Sequence, residues 1–498
     1  MTQSLVELFA CHADERAEHI FITERDTGTS FTYGEAITRV VSAAHFFTQR
    51  GVHRGDRVAM LMENRMEWVT TFLAAQSIGA LAVPLNTRLT GEELQSHIDD
   101  CDPKAIVIDS RHTGVIGSDD PRIVECSQLP VDRNVELSLA GSADDPAVIA
   151  YTSGTTGSPK GVVLSHRALH LSSMTYAAIF NSGPDFATPV AVPLFHNTGF
   201  IDGLGHAIVA GGSVELFRRF DPVAITEGLS KGEYSFFIGV PTMYRRMLEH
   251  TAPTMNTARN PLWLAYGGAP MPATTAERLF ERFEGARLVN CYGMSEATSI
   301  THYLPADLSS GRWDAVGIPV PGTADRINEL GELEVKSPTS MLGYWRCDQE
   351  FRAAGSTGWL RTGDCATKDE HGVVRITGRM DDLINRAGEK IAPGEVEAAI
   401  CRLDGVVEVV VIGIPDTDLG QVPAALLVVR SDSFDVKYFR NILSDHLADY
   451  KIPAHVYCVD ELPRNANGKI VRSRVRTIID ERLSSGSLEQ SSSTSLSS

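Results

Sequence analysis

No C-x-x-C pair occurs among the eight cysteines, Cys11, Cys101, Cys126, Cys291, Cys347, Cys365, Cys401 and Cys458. Scattered spacing of this kind gives neither a zinc site nor a disulfide framework, so the expectation is free thiols in a reducing compartment. Basic residues are in deficit, 45 against 63 acidic, for a formal net charge of −18. That balance argues against nucleic-acid or anionic-membrane binding, where affinity comes from neutralising phosphates. No apolar run approaches the ~20 residues of a membrane span. The opening "MTQSLVELFACHADE" has no basic start and turns acidic early, unlike a secretory signal. The expected location is therefore the cytoplasm, with neither nucleic acid nor membrane as partner. Two hydrolase signatures are also missing: there is no H-E-x-x-H, and "GMSEA" ends in Ala297 where a nucleophile elbow needs Gly.

What is present is ordinary globular material, 43% hydrophobic and 22% charged, in a chain long enough for roughly three domains. Helical and strand-like periods alternate from the start. "YGEAITRVVSAAHFFTQR" reads as a helix, "RVAMLM" as a strand, "EWVTTFLAAQSIGA" as a helix, and "LAVPLN" and "AIVID" as strands. The rhythm repeats through "VELFRRFDPVAITEGLSKGEYSFFIGVPTMYRRMLEH". The expected fold is α/β, sheets flanked by helices. After about residue 310 short strands and Gly/Asp/Thr turns take over. "EVEAAICRLDGVVEVVVIGIPD" then gives a helix and a strand, and "YFRNILSDHLADY" a further helix. We expect a large N-terminal domain over 1–380 and a small mobile α+β domain over 381–482, joined within "GRMDDLI". A disordered serine-rich tail over 483–498 would follow.

The stretch "YTSGTTGSPKG" (151–161) packs five Ser/Thr, three Gly and one Lys into eleven positions. Lys160 falls at the Walker distance from Gly154, but Pro159 precedes it and Gly161 follows it. The metal-binding hydroxyl of a Walker loop is therefore missing, and the proline removes an amide. Hydroxyls, amides and one ammonium still suit phosphate oxygens. Composition alone fits a polar turn equally well. The flanks "PAVIAY" and "GVVLS" read as buried strands, which would hold such a loop in place.

"YTSGTTGSPKG", "PLFH", "GGAP", "YGMSEAT", "LRTGD", "GRMDDLINRAGEKIAPGEVE" and "LPRNANGK" stand in the order and spacing of the acyl-adenylate-forming (AMP-binding) superfamily. The resemblance runs from about residue 5 to about residue 475 and is nearest to stand-alone acyl- and aryl-CoA synthetases. It implies that Thr152, Ser153, Gly154, Thr155, Thr156, Gly157 and Lys160 grip the phosphates of ATP. Glu296 would hold Mg2+, a role for which one carboxylate plus phosphates and waters suffices, and Ser295 replaces the usual Thr. Gly267, Gly268, Ala269 and Pro270 would line the adenine, stacked on Tyr292 beside Gly293. Asp364, assisted by Arg379, would accept the ribose hydroxyls. Lys469 would bring the carboxylate and α-phosphate together, and Asp381 would be the hinge of the small domain. Gly388 would line the pantetheine tunnel of CoA, and His196 would gate the acid pocket. Taken singly, "TGD", "NGK" and a lone His are ordinary turns or packing residues.

By the same resemblance the acid pocket takes in Asn197, Thr198, Cys291, Thr298 and Ser299, with His302 as a further candidate. A polar lining disfavours fatty acids, since unpaired buried polar groups are costly, and implies a small or polar acid. No Asp that would hold an α-amino group directly follows His196, although Asp202 is close by. Two positions depart from the family pattern: Ala387 stands for the first Gly of a Gly-Gly pair, and Leu419 for a Trp that several CoA ligases carry. The implied reaction is adenylation followed by thioester formation with CoA. Transfer to an amine or a carrier protein, activation of another oxyanion such as nitrite, and a non-catalytic nucleotide-binding module stay as alternatives, and a homodimer stays open.

Overall fold

The computed structural model describes residues 4–116, 120–132, 139–152, 159–249, 255–256, 261–269, 271–309, 311–346, 358–387, 389–403, 405–430, 442–444, 447–464 and 470–484. It divides into two compact units, Met1–Asp325 with Val335–Leu360, and Arg326–Glu334 with Arg361–Ser498. The fold is the expected mixed α/β, a large N-terminal unit of sheets and helices and a small C-terminal one.

Capping chemistry sets several helices of the large unit. Thr32 accepts from the Glu35 amide while Glu35 reaches back to the Thr32 amide, and helix Tyr33–Gln49 starts there. Thr90 and Glu93 repeat the device for helix Gly91–Cys101. The alternation read from the sequence appears as strand Arg57–Leu61, helix Met66–Ser77, and strands Leu81–Pro84 and Ala105–Ile108. These strands pair in parallel within a seven-stranded sheet. Burial on both faces explains their unbroken apolar runs. One edge of this sheet is antiparallel: Pro146–Thr152 pairs Lys160–Ser165, which pairs Gly343–Tyr344.

A second group begins with three parallel strands, Phe236–Gly239, Trp263–Tyr266 and Arg287–Gly293, and continues antiparallel through Ile300–Leu304 and Ala315–Pro319. A four-stranded sheet carries Ser30–Thr32, Ile20–Glu24, Ser213–Leu216 and Ala187–Val190.

In the small unit, Leu360–Lys368 and Val374–Arg379 form an antiparallel pair. Val406–Asp416 and Gly420–Val429 make a long hairpin, flanked by Ile384–Arg386, Glu389–Ile391 and His455–Cys458. Helices Pro393–Ile400 and Arg472–Ser484 belong to the same unit. Of the helix expected over 438–450, residues 442–444 are helical and a short turn covers Asp449–Lys451, while 438–441 and 445–446 lie outside the described residues, as does the serine-rich tail beyond 484. Among the described residues no helix is long and apolar enough to cross a membrane, and the cysteines are free thiols.

Candidate active site

The stretch expected to grip phosphates lies between two paired strands, Pro146–Thr152 and Lys160–Ser165. Thr152 lies opposite Lys160, and its hydroxyl donates to the Lys160 carbonyl at 3.5 Å. Ser153, Gly154, Thr155, Thr156 and Gly157 lie outside the described residues. Lys160 sets its ammonium 5.7 Å from the centroid of the Tyr344 ring. The Tyr344 hydroxyl donates to Glu296 Oε1 at 2.9 Å. Tyr344 is half-buried on the strand next to Lys160 and thus joins the loop lysine to the expected metal carboxylate. Sequence reasoning missed this residue. Glu296 is further fixed through its own carbonyl, which accepts from the Met341 amide at 2.7 Å. Its Oε2 has no hydrogen bond among the described residues, and no group of three His, Cys, Asp or Glu that could hold a metal occurs among them. That donor set fits an ion held by one carboxylate and completed by phosphate oxygens and water.

Glu296 sits on the single turn Ser295–Ala297 just past the carboxyl end of strand Arg287–Gly293. In open parallel sheets, ligands bind beyond the carboxyl ends of the strands. Gly267, Gly268 and Ala269 follow the end of the neighbouring strand Trp263–Tyr266; Pro270 lies outside the described residues. A Cβ on Gly267 would fall 2.5 Å from the Cys291 carbonyl, and one on Gly293 only 1.7 Å from the Ser299 carbonyl. Backbone thus replaces side chain at both points. Tyr292 is half-buried and meets the His302 ring edge-on, centroids 5.8 Å apart. His302 is fully buried, with Nδ1 at 3.1 Å from the Thr301 hydroxyl and Nε2 at 3.5 Å from Asp325. Full burial leaves its ring packed against Tyr292.

The pocket residues converge. Thr298 has φ +70° and ψ −51°, a left-handed backbone rare for a β-branched residue. Three bonds impose it: its amide donates to Ser295 O, its hydroxyl to Thr339 O at 2.5 Å, and its carbonyl accepts from the Asn197 amide group. Strain of this kind costs about 1–3 kcal/mol and concentrates at functional sites. Asn197 precedes the π-helix Thr198–Gly205, another local irregularity common at such sites. The π-helix buries Asp202, 3% exposed, against Ser299, whose hydroxyl donates to Asp202 Oδ1 at 2.6 Å. Burial pushes the Asp202 carboxyl up to about 7. It also raises the neighbouring Tyr176 hydroxyl and Cys291 thiol well above their usual ranges. His196 is half-buried, its ring 4.5 Å from that of Phe195.

In the small unit, Asp364 and Arg379 face each other across the strand pair, with Arg379 donating to Asp364 Oδ1 at 2.8 Å. Asp381 is exposed on the turn Met380–Asp382. Its neighbour Asp382 pairs with Arg472 at 3.0 Å. Lys469 and Gly388 lie outside the described residues. The two departures from the family pattern adjoin each other: the Ala387 amide donates to the Leu419 carbonyl at 2.8 Å. Ala387 has φ +53°, so its methyl matters through the backbone rather than as an intrusion into a tunnel. Left-handed backbone costs an L-residue about 1–2 kcal/mol, partly offset by the lower entropy of unfolded Ala relative to Gly. Ala387→Gly is therefore expected to stabilise the small unit by about 0.5–1 kcal/mol in denaturant unfolding. A destabilised variant would contradict the assigned backbone.

Comparison with known proteins shows the family. The AMP-binding enzyme family matches residues 9–345, and its C-terminal domain residues 395–469. A feruloyl-CoA synthase of Amycolatopsis sp is 32% identical over 466 residues, covering 91% of this chain and 94% of that protein. ATP-bound MatB from Rhodopseudomonas palustris superposes with a TM-score of 0.86 at 30% identity, covering 96% of this chain and 99% of that one. The o-succinylbenzoate CoA synthetase MenE from Bacillus subtilis, in complex with the acyl-adenylate OSB-AMP, gives a TM-score of 0.84 at 28% identity, with 95% and 98% covered. The same enzyme with ATP and magnesium gives 0.83 at 28%, with 94% and 99% covered.

Proposed function

The chain belongs to the AMP-binding enzyme family and is an ATP-dependent adenylate-forming ligase; from that premise we propose that it joins a small or polar carboxylic acid to CoA in two steps. The observation that carries the reading is the Lys160–Tyr344–Glu296 array; the acid would lie against Asn197, Thr198, Cys291, Thr298 and Ser299 of the same unit. Thr152, Ser153, Gly154, Thr155, Thr156, Gly157 and Lys160 hold the β- and γ-phosphates. Adenine lies along Gly267, Gly268, Ala269 and Pro270 and on Tyr292, beside Gly293 and Ser295. Asp364 accepts the ribose hydroxyls, held in place by Arg379. Mg2+, held by Glu296, would neutralise phosphate charge.

The acid attacks the α-phosphorus to give acyl-AMP and pyrophosphate, with Lys469 offsetting the charge of the two anions that must meet. The small domain, taken from 381, then turns about Asp381. The CoA thiol, admitted past His196 and Gly388, displaces AMP. Free thiols fit a reducing cytoplasm.

The test is acid-dependent exchange of labelled pyrophosphate into ATP, followed by mass detection of acyl-CoA when CoA is added. Exchange with a thioester product supports the proposal. Exchange without a thioester moves the acceptor to an amine or carrier protein, a reading that Ala387 and Leu419 leave open. Absence of exchange with any acid or with nitrite, despite ATP binding, would leave a nucleotide-binding module. Size-exclusion chromatography of the same sample reports whether the protein is a dimer. Tyr344→Phe is expected to slow exchange by about tenfold, the ~1.4 kcal/mol of one charge-assisted hydrogen bond, with folding unchanged. Wild-type exchange in this variant would remove Tyr344 from the site.

A further inference from the structure

The polar side chains expected to line the acid pocket commit most of their donors to the protein. Ser299 gives its one hydroxyl proton to Asp202. Thr298 gives its own to the Thr339 carbonyl. Asn197 directs its amide nitrogen to the Thr298 carbonyl. A hydroxyl has one proton and two lone pairs, and a side-chain amide separates donor from acceptor. What Ser299, half-buried, still offers a ligand is therefore oxygen lone pairs, while Asn197, also half-buried, keeps its Oδ1 and one N–H. Behind them stands Asp202, buried and paired with no cation among the described residues.

We propose that this pocket takes a carboxylic acid bearing a hydrogen-bond donor, a hydroxyl or an amino group, at the end away from the carboxylate that is activated, and that Asp202 acting through Ser299 selects it. The inference rests on the ligase reading above and narrows its substrate class. An acid ending in a second carboxylate would bring acceptors to acceptors and a like charge toward Asp202. An acid ending in an ether or methyl group would leave the Ser299 lone pairs unpaired. A site built to pair with a substrate hydroxyl rejects analogues that lack it more strongly than an apolar pocket rejects an extra group.

The donor pattern needs Asp202 ionised. The groups packed round it are the Tyr176 hydroxyl and Cys291 thiol, kept neutral by burial, and His206, held down to about 3 by burial. The Thr198 and Ser299 hydroxyls complete its surroundings. With its own carboxyl near 7, the charged form prevails on the alkaline side, so the measurement belongs at about pH 8.

Pyrophosphate exchange would be run on two matched sets of acids. The first is para-hydroxybenzoate, para-aminobenzoate, para-methoxybenzoate and terephthalate; the second is butanoate ending in a hydroxyl, an ammonium, a methyl or a second carboxylate. Within whichever skeleton is accepted, the donor-bearing members are expected to exceed the others by at least about tenfold. Asp202→Asn turns the group facing Ser299 into one that can donate, which frees the Ser299 proton for the pocket. The ratio should then narrow to within about threefold. Ser299→Ala, which removes the acceptor, should narrow it equally and decides the matter should the Asp202 variant not fold. An ether- or carboxylate-ended acid exchanging as fast as its hydroxyl partner would overturn the inference while leaving the ligase reading intact, and so would a ratio unchanged in the variants. Absence of exchange with every donor-bearing member would overturn the inference; the ligase reading falls only if neither any acid nor nitrite supports exchange.

Discussion

Lys469→Ala is expected to lower acid-dependent pyrophosphate exchange by about 10²–10³-fold, the usual cost of losing one preorganised donor at developing charge. Thioester formation from preformed acyl-AMP should remain within a few-fold of wild type. The split follows from the proposed two-step cycle, in which Lys469 acts only while the carboxylate oxygen approaches the α-phosphate. The chain on either side of the lysine is well anchored, so truncating the side chain should not disturb the small unit. Arg464 bridges to Ile470 across the segment and grips the Glu408 carboxylate with two bonds of 2.9 Å. Arg472 holds Glu397 at 3.1 Å, Asp382 at 3.0 Å and the Val411 carbonyl at 2.6 Å. These bonds fix both flanks independently of the lysine. Equal loss in both half-reactions would show that Lys469 serves the fold or both steps and would refute the proposed alternation. Unimpaired exchange would remove it from the chemistry.

The elements were readable where local rules decide them. Alternating periods place helices Tyr33–Gln49 and Met66–Ser77 and the parallel strands beside them within a few residues. The site was readable as a set of motifs but not as an arrangement. Tyr344 was missed because its place beside Lys160 depends on Gly343 pairing with Val163, a partner about 180 residues away that no local pattern announces. Asp202 looked merely close to the pocket. Its burial against Ser299 depends on the π-helix Thr198–Gly205, whose wider turn a 3.6-residue period does not anticipate. Thr298 gives no sign of its left-handed backbone, since β-branched residues ordinarily avoid it. Ala387 is legible as a replacement for Gly, but the motif alone does not show its positive φ.

Glu296→Gln should lower adenylation by roughly 10²-fold at millimolar magnesium, about 2.7 kcal/mol of transition-state stabilisation, and should raise the magnesium concentration needed for half-maximal rate. Gln keeps the shape and a carbonyl oxygen, so the Tyr344 hydroxyl retains its acceptor and the Met341 amide still finds the main-chain carbonyl. What disappears is one negative charge at a half-buried point facing Lys160 across the Tyr344 ring. A hard cation held there with the phosphates would take its protein contribution from that charge, and the amide oxygen would replace it poorly. The deficit should therefore shrink as magnesium is raised from about 1 to 50 mM, as binding by mass action requires. A structural role for Glu296 would instead give a loss independent of magnesium, accompanied by a lower unfolding midpoint. An unchanged magnesium dependence with wild-type stability would transfer the metal to the nucleotide and water alone, leaving Glu296 as the residue that orients Tyr344 beneath Lys160.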